Sequence, residues 1–373
     1  MDDFYQRLGG TPACRRLSKA FYNRVQRDLV LKPLFPGKTM KCAIEEFAAF
    51  LAQFLGGPAE DVQRRWWLSL QESHSRFRIG ERERTAWMKN MVDALEEVEF
   101  DPGASRALRE FFERSSAYMV DTAPLTQGDL GTPELAWRWT AQQTLDEAVA
   151  AICKGDAERV ISLAEGPTLQ AYFRSSPTVF PAVLATLIRK REAAMLAYVR
   201  KNLAASPALV QQRYSGRTLL HDAAAAGDLD TVELLLRLGA PPDTLDDGAH
   251  TPLYSVANEC EAPGGAEVAR TLIRNGADVE AAGGVKHCTA LHMAARRGNL
   301  EIAGALLDCG AAIEARDSQR ETPLRRAVNC NQAEVAALLL ARGGDPHSRC
   351  KKGLTPHSAA RSSAMKLLLA GYA

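Results

Sequence analysis

Five short stretches recur along the C-terminal half of the chain at a nearly fixed interval. They are T-L-L-H-D-A-A at Thr218, T-P-L-Y-S-V-A at Thr251, T-A-L-H-M-A-A at Thr289, T-P-L-R-R-A-V at Thr322 and T-P-H-S-A-A at Thr355, spaced 33, 38, 33 and 33 residues apart. A period of this length specifies a stacked array, because each unit can bury its apolar face only against its neighbours. Each feature of the motif has a physical reason. The threonine is an N-cap for an orphan amide, worth about 1 kcal/mol, and proline fits the first helical turn after it. The following leucine enters the stack, and the alanine pair lets neighbouring helices approach closely. Gly239, Gly310 and Gly343 lie 21 residues after their threonines and end the second helices LLLRLG, LLDCG and LLLARGG as left-handed caps. Gly227 and Gly298 sit where the first helix must reverse. After Thr251 the glycine is Gly276, four residues late, which puts most of an insertion in NECEAPGG between the two helices of that unit.

In period, motif and punctuation these stretches resemble ankyrin repeats over about 150 residues. The resemblance implies a protein-recognition surface of loops and concave helices, for a partner the sequence does not identify. Upstream, DEAVAAICKGDAERVISLAEG (146–166) keeps the helix, Gly-Asp, helix layout, and VLATLIRKREAAMLAYVRKN (183–202) reads as another unit without the glycine. The array is expected over 140–373 in roughly seven units, the N-terminal ones divergent and the last shortened, as capping units are.

At 373 residues the chain has room for a second domain. Lys+Arg 46 against Asp+Glu 45 leaves a formal net charge of +1, and residues 1–122 alone carry 19 basic and 18 acidic groups. That balance argues against a nucleic acid or an anionic membrane as a partner. No apolar run has the length of a membrane span, and MDDFYQRLGG is not a signal peptide. Eight cysteines without a CxxC pair read as reduced thiols of a cytoplasmic protein.

Residues 121–135, DTAPLTQGDLGTPEL, are rich in proline, glycine and threonine and read as part of a linker, assigned to 123–139. The domain before it, 1–122, is expected to be all-α. Leu17, Phe21 and Val25 share a helix face; Ile44, Phe47, Phe50, Leu51, Phe54 and Leu55 make a second stripe, stopped by Gly56-Gly57-Pro58. Trp87, Met88, Met91, Val92 and Leu95 make a third, and Leu108, Phe111, Phe112, Tyr118 and Met119 a fourth. Trp137 and Trp139, just past the linker, are candidates to dock on this domain.

The pieces FYQRLGG, AFYNRV, LFPG, FLAQFLGGP, a histidine before FRI, and AWMKNM resemble the group II truncated haemoglobins from about Phe4 to Met119. The resemblance implies a two-over-two helical sandwich around non-covalent haem b, with reversible binding of dioxygen and with carbon monoxide and nitric oxide as further ligands. It puts His74, the only histidine before His221, at the proximal position as the iron's fifth ligand. Tyr22 falls on the distal tyrosine and Trp87 on the tryptophan whose indole N–H reaches the distal pocket. Phe35 falls against the porphyrin, and Ala43 and Phe47 at the ligand-entry and pocket-lining positions of the distal helix. No CxxCH is present for covalent haem attachment.

One stretch departs from the family. Where a Gly-His-Pro and basic residues usually lead into the proximal histidine, this chain reads WWLSLQESH. The haem propionates then need other partners, for which Arg76 and Arg78 are the candidates. Trp66-Trp67 reads equally as a pocket wall, a domain contact or packing. His221 and His292, inside repeat motifs, read as structural hydrogen-bonding groups, and His287 and His347 have no zinc-like spacing. Three function classes stay open: a haem sensor of ligand or redox state relayed by the repeats, a haem redox enzyme such as a nitric oxide dioxygenase or peroxidase localised by them, and a haem-free scaffold.

Overall fold

A computed structural model describes residues 4–35, 39–58, 68–74, 77–120 and 132–372. The described chain is all-α apart from a two-residue antiparallel hairpin, β1 (Arg213–Tyr214) with β2 (Arg217–Thr218). It divides into two compact units, residues 1–183 and 184–373.

The first unit opens with α1 (Phe4–Arg7), α2 (Gly10–Val25), α3 (Lys41–Phe54), the short α4 (Leu70–His74), α5 (Glu81–Val98) and α6 (Pro102–Val120). α2 packs on α3 and α5, and α5 packs on α6, the two-layered sandwich the globin resemblance implies. The apolar stripes supply its core: Phe21, Val25, Leu51, Phe54, Met91, Leu108, Phe111 and Phe112 are buried. Each such side chain is stabilised by about 1.5–3 kcal/mol relative to exposure. α3 ends at Phe54, and Gly56 then adopts φ 90°. A Cβ at Gly56 would collide with the Arg138 guanidinium, so only glycine suits the position.

That arginine belongs to α7 (Pro133–Lys154), which begins inside the range read as linker. Residues 132–139 are the N-cap and first two turns of a 22-residue helix. The Thr132 hydroxyl accepts from the Leu135 amide at 3.2 Å, and Pro133 sits in the first turn. Leu135 and Trp139 are buried in the cluster built by α1–α6. The Trp139 ring lies edge-on to Phe111 at 5.7 Å and to Tyr118 at 5.3 Å. Trp137 turns elsewhere, edge-on to Tyr172 at 6.2 Å. Tyr172 is on α9 (Pro167–Ser175), which packs with α7 and α8 (Ala157–Glu165). A helix buried on more than one face belongs to two layers at once, and α7 does.

Helix α10 (Val179–Lys190) crosses the boundary between the units. The second unit continues with α11 (Ala193–Ala205) and then helix pairs: α12 (Leu219–Ala226) with α13 (Leu229–Arg237), α14 (Pro252–Glu259) with α15 (Gly265–Arg274), α16 (Ala290–Arg297) with α17 (Leu300–Asp308), α18 (Pro323–Asn329) with α19 (Ala333–Ala341), and α20 (Pro356–Ala359) with α21 (Ser363–Ala370). First helices stack on first helices and second on second. The motif threonines 218, 251, 289, 322 and 355 are the N-caps of the first helices, and the NECEAPGG insertion lies between α14 and α15.

His221 and His292 stitch consecutive pairs together. Each accepts at Nδ1 from the amide of its own N-cap threonine, at 3.3 and 3.2 Å. Nε2–H therefore donates to a carbonyl in the next loop, His250 at 3.1 Å and Glu321 at 3.0 Å. Both rings are fully buried, and burial lowers their pKa values, that of His221 to about 4. The fold thus favours the neutral form, so the unfolded chain binds more protons once the pH falls below about 6.5. Stability should drop as the pH falls from there towards 4, His221 contributing on the order of 3 kcal/mol at full titration.

Two outcomes are expected. Urea unfolding of the full chain, followed by far-UV circular dichroism, should lose more stability between pH 7 and pH 4.5 in the wild type than in His221→Gln; an identical pH dependence would contradict the neutral-histidine bridge. Trp139→Ala should destabilise the first unit by about 3–5 kcal/mol, as core aromatic truncations do. A loss of less than about 1 kcal/mol in thermal unfolding would mean that α7 does not share that core.

Candidate functional site

A cavity of about 910 Å³ lies in the first unit, bounded by α2, α3, α4, α5 and α6. That volume is within the ~300–1,000 Å³ typical of small-molecule and cofactor sites. Helix periodicity decides who lines it. On α3, Cys42, Ala43, Glu46, Phe47 and Phe50 follow one another at spacings of one, three, one and three, a pattern of i, i+3 and i+4 neighbours, so they share one wall. Phe21 and Tyr22 come from α2, Trp87 from α5, and Phe111, Phe112 and Met119 from α6.

The walls are held by ring contacts. Tyr22 is edge-on to Phe35 at 5.6 Å and to Phe47 at 6.2 Å, and Trp87 is edge-on to Phe112 at 5.6 Å and tilted on Phe21 at 5.1 Å. Edge-to-face packing of this kind fixes ring orientation as well as burying area. Burial, assisted by the negative charge of Glu46, raises the Tyr22 phenol well above its ordinary pKa. Tyr22 therefore keeps its proton at any physiological pH and remains a donor.

His74 closes α4 and lies on the cavity wall. Its Nδ1 is 2.8 Å from the Leu70 carbonyl one turn back and 2.9 Å from Ser73 Oγ. A carbonyl oxygen only accepts, so Nδ1 carries the proton, and in the neutral ring Nε2 keeps the lone pair. That tautomer, fixed by a backbone carbonyl, is the form in which an imidazole binds a metal.

The cavity mouth is marked by the exposed Thr39, Cys42 and Arg78. Arg78 has no ion-pair partner among the described residues, so its guanidinium suits an anionic edge of a ligand. Arg84 also lines the cavity but is engaged with Ser116 Oγ at 3.3 Å and Glu81 at 3.2 Å. Of the residues read from the sequence, Tyr22, Phe35, Ala43, Phe47, His74, Arg78 and Trp87 all line this one cavity. Arg76 and Trp66-Trp67 lie outside the described residues. Glu46 and Arg84 line the cavity as well, and no motif in the sequence points to either. Only the spacing from Ala43 through Phe47 to Phe50 carried a signal for Glu46.

Residues 3–120 match the bacterial-like globin family, and residues 150–283 and 259–350 match ankyrin repeats. Group 2 truncated hemoglobin YjbI of Bacillus subtilis is 31% identical over 116 residues, 30% of this chain and 84% of that protein. The chain belongs to the truncated globins and, beyond that domain, to the ankyrin-repeat proteins. Ankyrin repeat and SOCS box protein 16 of Homo sapiens is 34% identical over 164 residues, 42% of this chain and 35% of that protein. The chain thus spans about a third of that relative's length. Cyclin-dependent kinase 4 inhibitor B of Bos taurus is 32% identical over 126 residues, 34% of this chain and 92% of that protein. The truncated globin is therefore joined to a protein-interaction module. Among the described residues no helix is long and apolar enough to cross a membrane.

Globins hold haem, and the site's donor set fits that group. The cavity combines a largely aromatic interior, one imidazole whose Nε2 keeps its lone pair, and an arginine at the mouth. Hydrophobic walls suit the macrocycle, imidazole suits iron, and guanidinium suits a carboxylate.

Proposed function

We propose that the globin domain holds non-covalent haem b through His74 and reversibly takes a diatomic ligand, and that the ankyrin module presents this domain to a protein partner as a ligand or redox sensor. Haem supplies a ferrous iron able to bind dioxygen, carbon monoxide or nitric oxide when it occupies the cavity. The protein's own residues do the rest. His74 would hold the iron, its ring oriented by the Leu70 carbonyl. Tyr22 and Trp87 offer an O–H and an N–H inside the cavity. Phe35 and Phe47 pack beside Tyr22, exclude water and limit its movement. Ala43 adds little bulk to the α3 wall. Arg78 would take a propionate, which would compensate in part for the basic residues missing from WWLSLQES. None of the eight cysteines is in a disulfide, which suits a reducing cytoplasm.

The observation that carries this reading is His74, with Nδ1 locked on the Leu70 carbonyl, on the wall of the cavity that Tyr22 and Trp87 also line. His74→Ala should leave helical content nearly unchanged while abolishing normal haem loading of the full chain. Equal loading and an unchanged ferrous spectrum would overturn the assignment. A hydrogen bond from Tyr22 is worth a net 0.5–1.5 kcal/mol, so Tyr22→Phe should speed dioxygen release by a few-fold to about tenfold and carbon monoxide release less. Stopped-flow dissociation rates check this. Unchanged rates in Tyr22→Phe and in the Tyr22→Phe/Trp87→Phe double variant would remove both from the distal role.

A further inference from the structure

Two polar side chains on α7 are buried where an apolar helix face would be expected. Gln142 is 0% exposed and Asp146 1%. Burying an amide and a carboxylate costs several kcal/mol unless their hydrogen bonds are made. Their bonds converge on the segment that leads into His74. Gln142 Nε2 donates to the Leu68 carbonyl at 2.9 Å and to Asp146 Oδ1 at 2.9 Å. The Leu70 amide donates to the same Asp146 Oδ1 at 3.0 Å. Asp146 is thus the N-terminal cap of α4, supplied from a helix 76 residues further along the chain.

Leu70 is engaged on both sides. Its N–H is held by Asp146, and its carbonyl holds His74 Nδ1. A helix of five residues has no independent stability, so its position is whatever its tertiary contacts impose. α6 contacts it too, but the hydrogen bonds from Gln142 and Asp146 come from a helix outside the globin family match, which ends at residue 120, and that helix runs into the ankyrin match from residue 150. The same α7 carries Trp139 against Phe111 and Trp137 against Tyr172 of α9.

We propose that Asp146 and Gln142 are positioning residues for His74, fixing the α4 backbone and through it the imidazole, so that the helix opening the repeat module sets the geometry of the axial ligand. This rests on His74 being that ligand. A displacement of α7 by events at α8 and α9 then shifts the imidazole, and ligation at His74 acts back on α7 with the same coupling free energy.

The test uses the full chain with Asp146→Ala, Asp146→Asn and Gln142→Met. In haem-free protein, hydrogen exchange at the Leu70 amide should quicken at least tenfold in Asp146→Ala and several-fold in Gln142→Met, with exchange in α2 unchanged. Asp146→Asn keeps an acceptor oxygen in place and should return most of the protection. In the ferrous haem-loaded protein, the iron–histidine stretching band should shift or broaden in Asp146→Ala and Gln142→Met and return towards wild type in Asp146→Asn. Should Asp146→Ala fail to fold, Gln142→Met alone decides, since it removes only the donor to Leu68 and Asp146. Wild-type Leu70 exchange and an unmoved band in the folded variants would overturn the proposal while leaving His74 as ligand. Haem loading undiminished in His74→Ala would overturn the ligand reading instead, and faster Leu70 exchange would then survive as a structural fact only.

Discussion

One turn of helix carries the candidate ligand, and a single turn in water is unfavourable because it fixes several dihedrals for one hydrogen bond. α4 exists because its ends are tied. The Leu70 amide is capped by Asp146, the Leu68 carbonyl is bound by Gln142, and the Leu70 carbonyl is bound by His74 itself. The cavity depends on the same turn, since His74 is part of its wall. The joint between His74 and the rest of the molecule is therefore polar and directional, whereas the remaining walls are mostly aromatic and held largely by packing.

This arrangement makes α7 the shared element of the first unit. Its first half completes the globin core with Leu135 and Trp139, and its second half packs in the first helix pair of the repeats. A tether would leave the two functions independent. A helix buried in both layers moves only if buried hydrogen bonds break and Phe111 and Tyr118 repack together. Sensor behaviour needs a coupling of this kind between the ligand site and the partner surface.

Much of this was legible in the chain. The repeats could be read because every unit carries its own N-cap threonine and reversal glycine, and such signals do not depend on distant residues. The four apolar stripes of the first domain and the stop at Gly56-Gly57-Pro58 follow from local periodicity, and the cavity-lining roles of Tyr22, Trp87 and His74 follow from motifs that resemble a known family. The start of α7 was not legible in the same way. The Pro/Gly/Thr-rich composition of 121–135 argues for a linker, yet Thr132-Pro133 is equally a helix start, and only the docking of Trp139 on Phe111 and Tyr118 decides between them. Gln142 and Asp146 carry no local signal, because their partners, Leu68 and Leu70, lie more than 70 residues away. Glu46 and Arg84 escaped for a similar reason: a charged side chain signals solvent until the wall it shares is known.

The proposed function requires this chain to bind haem despite the WWLSLQES stretch, where basic residues usually precede the proximal histidine. It is tested most directly by titrating haemin into the purified full chain, reducing it, and recording the absorption spectrum with and without carbon monoxide. Saturation is expected at one haem per chain, with a Soret band typical of histidine-ligated ferrous iron and a sharp shift of that band on adding carbon monoxide. A featureless titration, indistinguishable from haemin mixed with an unrelated protein, would contradict it and leave a globin fold that serves only as a scaffold.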